Sequence, residues 1–383
     1  MLKLAIIRTS PSELNINQYN VQEIGFAKGL FNLGVSTDIF SFFSNITTIQ
    51  TIIENDRGIV RLIPIKGIKI LNKISLFPKL VNDDFIKQYD IIQVHEDSQL
   101  MTALILLRLK KGNIKRVLYQ GMYTNYRGIN RVYQIMFDFL FNKIIRKNAD
   151  YVFAKTNLAK QYLLSKGYKN INLLPIGLDY GINNKVSSLN SIINNYRAKY
   201  DKVLLYVGKI EQRRNPKFLI DVFSLLRHNN NLNYGLIIVG DGPLVNFLAN
   251  YAQKKNVLEH ILKLKNVPNN EINDIYKICN LLLLPSSNEI YGMVVLEAIY
   301  NGLPVISSLT AGPMDIIINS TFGCCLPLNE FQWSESIIKN LSGWESENLK
   351  ELRRKYIIDN FNWNKIARKY LDLIIINENS LNK

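Results

Sequence analysis

Two carboxylates eight residues apart, Glu289 and Glu297, bracket the stretch Pro285-Ser-Ser-Asn-Glu289-Ile-Tyr-Gly292-Met-Val-Val-Leu-Glu297-Ala-Ile-Tyr-Asn-Gly302-Leu-Pro304. The apolar run Leu281 to Leu284 before it reads as a buried strand, and Met293 to Tyr300 has the composition of a helix. Gly302 stands where a helix stop belongs, with Pro304 just beyond. Gly292 leaves the helix start open, so the amides of Gly292, Met293 and Val294 can face a sugar or a phosphate. Glu297, one turn into the helix, is suited to accept hydrogen bonds from ribose hydroxyls. Glu289, in the loop, could bind sugar hydroxyls and stabilise positive charge developing at an anomeric carbon. The chemistry indicated is the handling of a nucleotide-activated sugar. The plainer alternative is an ordinary strand, loop and helix with two solvated glutamates.

A second cluster follows the strand that ends at Val207: Gly208-Lys209-Ile-Glu-Gln-Arg213-Arg214-Asn215-Pro216. Asn215 reads as an N-cap and Pro216 as the first helical residue. Cations gathered at a helix start oppose the helix dipole unless an anion is present. A pyrophosphate resolves that conflict, with the charged side chains and free amides meeting it together. A solvated basic turn is the alternative and leaves the clustering unexplained. Val239-Gly240-Asp241-Gly242-Pro243 is a further strand-to-helix turn. Its glycines allow a tight turn and a close backbone approach, so a structural use comes first and nucleotide proximity second.

These segments resemble the Glu-x7-Glu, Gly-Arg/Lys…Lys and Val-Gly-Asp-Gly-Pro elements of retaining glycosyltransferases of family 4, with Lys209 and Arg214 at the two basic positions of the second. The resemblance implies the GT-B fold: α/β, with two Rossmann-like domains facing across a cleft and a C-terminal helix crossing back to the first. It further implies that Lys209 and Arg214, with Arg213 beside them, hold the donor diphosphate, and that Gly208, Gly240 and Asp241 lie nearby. Glu297 then holds the ribose and Glu289 the transferred sugar. The chain departs from the family pattern in its first half. Ser10-Pro-Ser-Glu-Leu-Asn-Ile-Asn stands where relatives carry paired glycines, and Gln120 where they often have a histidine near the sugar. Gln120 could serve there through its carbonyl and side-chain amide. His95 ends a strand and so faces the cleft by the rule for open α/β sheets. A base role for it would suit an inverting enzyme, and a hydrogen-bonded structural histidine is the alternative.

Short β-rich runs alternate with helical stretches along the chain, the pattern of parallel sheets covered by helices. Expected strands are 2–8, 91–94, 116–119, 151–154, 203–207, 234–239, 281–284 and 305–307. Expected helices are 21–33, 157–165, 216–227, 244–255 and 293–300. An asparagine-rich, turn-rich piece from about Gly177 to Asn195 marks the boundary. The organisation read from this is an acceptor-side domain over 1–180, a nucleotide-sugar domain over 196–360, and a closing amphipathic helix over 361–383.

A length of 383 residues exceeds one comfortable core. No run of about 18 uncharged apolar residues occurs, and Met1 to Arg8 reads as a strand and not a signal peptide. The expectation is therefore a cytoplasmic protein. Cys279, Cys324 and Cys325 have no metal-ligand spacing, and His95, His228 and His260 are scattered. Asp-x-Asp is absent from the sequence, with Asp83-Asp84 the nearest pair, so metal-independent chemistry without a cofactor is expected. The net charge of +16 suits an anionic membrane face or a phosphate-rich substrate. Motifs for nucleic-acid binding are missing. The aromatic, basic stretch from Arg127 to Lys147 could lie on a membrane surface, though a core helix with a basic outer face is the favoured reading.

The resulting expectation is retaining transfer of a hexose-type sugar from a nucleotide diphosphate to a glycan or lipid-linked acceptor, in cell-surface polysaccharide synthesis. Peripheral attachment to the inner membrane face would go with it. The alternatives are a sugar-nucleotide 2-epimerase and a non-enzymatic basic protein that binds nucleic acid or membranes.

Overall fold

A computed structural model describes all residues except 11, 17–20, 46–47, 71–73, 78–79, 81–87, 110–113, 180–189, 229–231, 266, 269–270 and 382–383. Asp83 and Asp84 fall outside the described residues, as does the 180–189 part of the expected boundary. The chain separates into two compact units, Met1–Asp179 with Phe361–Lys383, and Tyr180–Asn360.

The first unit runs β1 (Lys3–Ile7), α1 (Gln22–Phe31), β2 (Ser36–Phe42), β3 (Gln50–Asn55), β4 (Gly58–Ile65), β5 (Ile68–Ile70), β6 (Ile74–Leu76), β7 (Ile91–His95), α2 (Leu100–Arg108) and β8 (Lys115–Gln120). A composite helix, α3, follows: Ile129–Phe137 continues through a π-helical turn, Asp138–Asn142, into Lys143–Asn148. Then come β9 (Tyr151–Ala154), α4 (Asn157–Ser165) and β10 (Ile171–Leu173). The main sheet has the order β10-β9-β8-β7-β1-β2-β4-β3, parallel except for the β3–β4 pair. Strands β2 to β6 were not anticipated: Thr, Asp, Asn and Arg break up the apolar runs of β2 to β4, and β5 and β6 are only three residues long.

The second unit runs α5 (Asn190–Arg197), β11 (Lys202–Val207), α6 (Pro216–His228), β12 (Tyr234–Val239), α7 (Val245–Lys254), β13 (Ile261–Leu264), α8 (Ile272–Ile278), β14 (Leu281–Leu284), α9 (Met293–Tyr300), β15 (Val305–Ser308), α10 (Ala311–Ile316), β16 (Gly323–Leu326), α11 (Glu330–Asn340) and α12 (Glu347–Asn360). Helix α5 corrects the expected linker, because Asn190 to Asn195 are helical. The sheet order β13-β12-β11-β14-β15-β16 is wholly parallel. Strands β12, β14 and β15 are buried throughout, as strands covered on both faces must be. Strand order reverses between β11 and β14. At such a switch point the connections after the two strands leave toward opposite faces, opening a crevice at their carboxyl ends.

The last helix, α13 (Trp363–Leu381), belongs to the first unit, where it packs along α1. Tyr370 meets Phe26 edge-on at 5.1 Å and Phe153 at 5.1 Å. The approach is close: a Cβ on Gly25 would stand 2.2 Å from Trp363 Nε1, so only glycine admits the indole.

Candidate functional site

The crevice between β11 and β14 is where the two motif loops meet. The loop after β11 is first fixed against the turn after β12. Gly208 N donates to Val239 O at 3.0 Å, Ile210 N to Asp241 O at 2.9 Å and Leu244 N to Ile210 O at 3.1 Å. A Cβ on Gly240 would lie 2.0 Å from Gly208 O and one on Gly242 2.3 Å from Ile210 O. This is the physical need for Gly-Asp-Gly. The Asp241 carboxylate accepts from Gly242 N at 2.9 Å and pairs with Lys265 at 3.2 Å; the bond from Gly242 and the Lys265 ammonium hold it below the usual carboxylate range. Asp241 thus serves its own turn.

The loop then makes a short 3-10 turn, Gln212–Arg214, and crosses to the loop after β14. Asn215 sits in the left-handed region at φ 49, and its Nδ2 donates to Pro285 O at 2.8 Å. Asn215 does hold the expected N-cap position before Pro216, its carbonyl accepting from Leu219 N at 3.2 Å, but its side chain stitches two loops together instead of capping. Ser287 N donates to Arg213 O at 2.9 Å and Arg213 Nη1 donates to Asn288 O at 2.7 Å.

Inside this frame Arg214 and Glu289 form an ion pair, and Arg214 Nη1 also donates to Ser286 Oγ at 3.0 Å. Arg214 Nε is buried and has no hydrogen-bond partner. Arg213 lies 3.9 Å from the same Glu289 carboxylate and 3.1 Å from Glu211. Lys209 reaches outward, 64% exposed, with Glu211 at 3.5 Å. Gly292, at φ 81, caps α9, whose first amides at Met293 and Val294 have no acceptor within the helix.

Further along α9, Glu297 is the one charged residue of an apolar helix and is buried. Tyr276 OH, from α8, donates to its Oε2 at 2.8 Å, and burial pushes the carboxyl up to about 7. The far end of α9 is anchored by buried Arg353, whose Nη1 donates to Gly302 O at 2.8 Å and Nε to Thr321 O at 2.6 Å. The structure therefore gathers Arg213, Arg214, Glu289 and the start of α9 directly, with Gly208, Gly240 and Asp241 as the frame behind them. Sequence reasoning passed over Ser286 and Tyr276. Ser286 stood inside the motif stretch but drew no attention, and Tyr276 comes from another helix with no local signal.

The first-unit candidates are placed differently. Gln120 is fully buried; its Oε1 accepts from Asp97 N at 2.9 Å and its Nε2 donates to Asp97 Oδ1 at 3.2 Å. Its carbonyl accepts from Lys155 N at 2.9 Å, and Asp97 is in turn paired with Lys166. The expected sugar contact is corrected to a bracing role, because both polar groups of Gln120 are spent within the unit. His95 is buried edge-on against Tyr119 at 5.3 Å, with Gln93 at 2.9 Å and Glu23 at 3.6 Å. Burial, then the charges of Lys155 and Arg8, pushes its pKa well down, so it is a neutral, hydrogen-bonded ring. Its neighbour Glu96, unnoticed in the sequence, holds φ 65, a strained setting for a residue with a Cβ. Its carboxylate accepts from the Gly121 and Met122 amides at 3.3 Å.

Comparison with known proteins identifies the frame. Residues 191–363 match the family model described as glycosyl transferases group 1. An uncharacterized glycosyltransferase of Methanocaldococcus jannaschii, MJ1607, is 25% identical over 175 residues, covering 45% of this chain and 44% of the relative. The UDP-Gal:alpha-D-GlcNAc-diphosphoundecaprenol alpha-1,3-galactosyltransferase of Escherichia coli is 29% identical over 181 residues, 45% of this chain and 46% of the relative. The matched part of the chain thus spans about half the length of these curated relatives. The crystal structure of Anabaena Alr3699/HepE in complex with UDP superposes with a TM-score of 0.70 at 13% identity, over 97% of this chain and 99% of that one. That likeness extends over both units, which have the two Rossmann-like domains of GT-B glycosyltransferases. Residues 191–363 thus resemble a group 1 glycosyl transferase domain, in a chain of GT-B fold.

Proposed function

We propose that the chain is a retaining glycosyltransferase of family 4 that moves a hexose-type sugar from a nucleotide diphosphate to a glycan or lipid-linked acceptor. The observation that carries this reading is the meeting of Arg214, Ser286, Glu289 and the open end of α9 at the switch point between β11 and β14. Without donor, Arg214 and Glu289 neutralise one another. An arriving diphosphate draws the Arg214 fork, including its unpaired Nε, and Glu289 is released to accept from sugar hydroxyls. As the bond from the anomeric carbon to the phosphate oxygen breaks, that carboxylate faces the developing positive charge, while arginine and helix amides take the negative charge of the leaving group; the acceptor hydroxyl oxygen bonds to the anomeric carbon on the same face and its proton passes to the departing phosphate oxygen. Glu297 receives the ribose. The E. coli relative, by its name, acts on a diphosphoundecaprenol-linked sugar, which supports a lipid-linked acceptor; a role in cell-surface polysaccharide assembly is proposed with it. With cations and amides at the diphosphate, the reaction is proposed to need no metal and to run at the cytoplasmic side of a membrane.

The test is a panel of nucleoside diphosphates and their sugars, scored by thermal stabilisation and then by turnover with a lipid-linked acceptor in the presence of a chelator. Stabilisation by one nucleotide series and chelator-resistant transfer with retained configuration support the proposal. Stabilisation by none of them would sink it.

Glu297 supplies a prediction with a definite sign. Ribose hydroxyls donate to the carboxyl most strongly when it is ionised, so binding favours loss of its proton. Nucleotide affinity should rise as pH climbs through about 7 and flatten above it. The ligand-free protein changes the other way. A carboxyl whose folded-state pKa is raised contributes stability that is fully present below its unfolded pKa and lost as pH rises through the folded value. Titration calorimetry across this range should show proton release on binding. Glu297→Gln should flatten the dependence, leaving only the titration of the diphosphate itself.

A further inference from the structure

Helix α3 has two apolar sides. Phe137 and Ile145 are buried in the core of the first unit, with Tyr133 and Phe141 packed against it. On the other side Ile129 is 84% exposed and Phe139 86%, with Val132, Ile135, Met136 and Leu140 all more than half exposed. These positions follow helical spacing, so they form one stripe, and a contiguous exposed stripe marks a contact surface where scattered apolar residues would not. The expected core helix with a basic outer face is thus half right: the core side is present, but the outer face is apolar along its middle.

Charge completes the pattern. The stripe continues into exposed Lys143, Arg146 and Lys147 at one end, and exposed Arg127 precedes it at the other. The only carboxylate between 127 and 147 is Asp138, which is turned to Lys166 at 2.7 Å. The composite helix is about 30 Å long, and among the described residues no helix is long and apolar enough to cross a bilayer.

We propose that the outer side of α3 docks on an anionic membrane surface, lying in the plane of the headgroups with Phe139, Leu140 and Val132 inserted and the cations at both ends against lipid phosphates. A second copy of the chain is a poorer occupant. Pairing two such stripes about a twofold axis sets cations against cations whichever way the helices run, since both ends are basic. The proposal goes beyond the transfer reaction and does not depend on it, because membrane binding is measured without turnover.

The experiment is co-sedimentation of the full chain with vesicles of phosphatidylcholine, with and without phosphatidylglycerol, at physiological salt. Sedimentation with the anionic vesicles only is expected. Phe139→Ser combined with Leu140→Ser should lower binding roughly tenfold or more. Lys143→Glu with Lys147→Glu should erase the preference for phosphatidylglycerol. All four side chains are exposed, so both variants should melt with the parent. Absence of vesicle binding by the parent, or binding untouched by either variant, overturns the proposal. A concentration-dependent dimer that Phe139→Ser dissolves would overturn it equally, by assigning the stripe to a second copy. Nucleotide binding by the second unit is scored separately, so loss of either reading leaves the other standing.

Discussion

Glu289→Ala is expected to lower the rate of sugar transfer by two to three orders of magnitude with folding intact. One preorganised group that stabilises charge in a transition state contributes about 3–4 kcal/mol, which corresponds to that loss. The split between constants is the sharper part. Removing Glu289 deprives Arg214 of its partner and makes the site more positive, so the donor diphosphate should bind as well or better. The fall therefore appears in kcat and not in KM, the pattern of an interaction made mainly in the transition state. The loop should survive, because it is held by Asn215 to Pro285 O, Ser287 to Arg213 O and Arg213 to Asn288 O, none of which uses the Glu289 carboxylate. Steady-state kinetics beside a melting curve check this, and a variant with parental kcat would remove Glu289 from the mechanism.

Arg214→Ala should weaken binding of the nucleotide diphosphate by about 1.5–3 kcal/mol, roughly ten- to a hundredfold, the worth of hydrogen bonds to a charged group. Arg214→Lys should recover only part of this, since an ammonium has neither the planar fork nor the Nε donor that lies unpaired in the ligand-free site. Lys209→Ala should cost less, because that ammonium extends into solvent, where a pair contributes about 0–1 kcal/mol. Calorimetric titration of the three variants ranks them. Equal affinity in parent and Arg214→Ala would place the diphosphate elsewhere.

Much of this site was legible because it lies where the sequence is most constrained. Strands 234–239 and 281–284 and helix 293–300 appear with the expected bounds, since the two apolar strand runs end directly at Gly240 and Pro285 and the helix, apolar but for Glu297, is bracketed by Gly292 and Gly302. The switch point could not be read, because strand order is a property of the sheet and not of any one run. The role of Asn215 was misread for a related reason: its type suits a cap, but its partner, Pro285 O, is seventy residues away. Gln120 was misjudged because a strand end names a place without saying which way the side chain turns, and Asp97 takes it inward. Helix α3 was read only by half because one stretch carries apolar residues enough for two sides: Tyr133, Phe137 and Phe141 serve the core, while Phe139 joins the aliphatic residues on the other. Tyr276 shows the general limit: a bond between helices leaves no trace in either segment alone.

The placement of α13 bears on how the chain acquires its shape during synthesis. The first unit needs Trp363 and Tyr370 to fill the trough beside Gly25 and Phe26, yet these residues leave the ribosome after the whole of the second unit. The half translated first is thus the half completed last. Until its closing segment emerges, it presents an uncovered greasy groove, and a nascent chain in that condition is the stage at which a chaperone has most to protect.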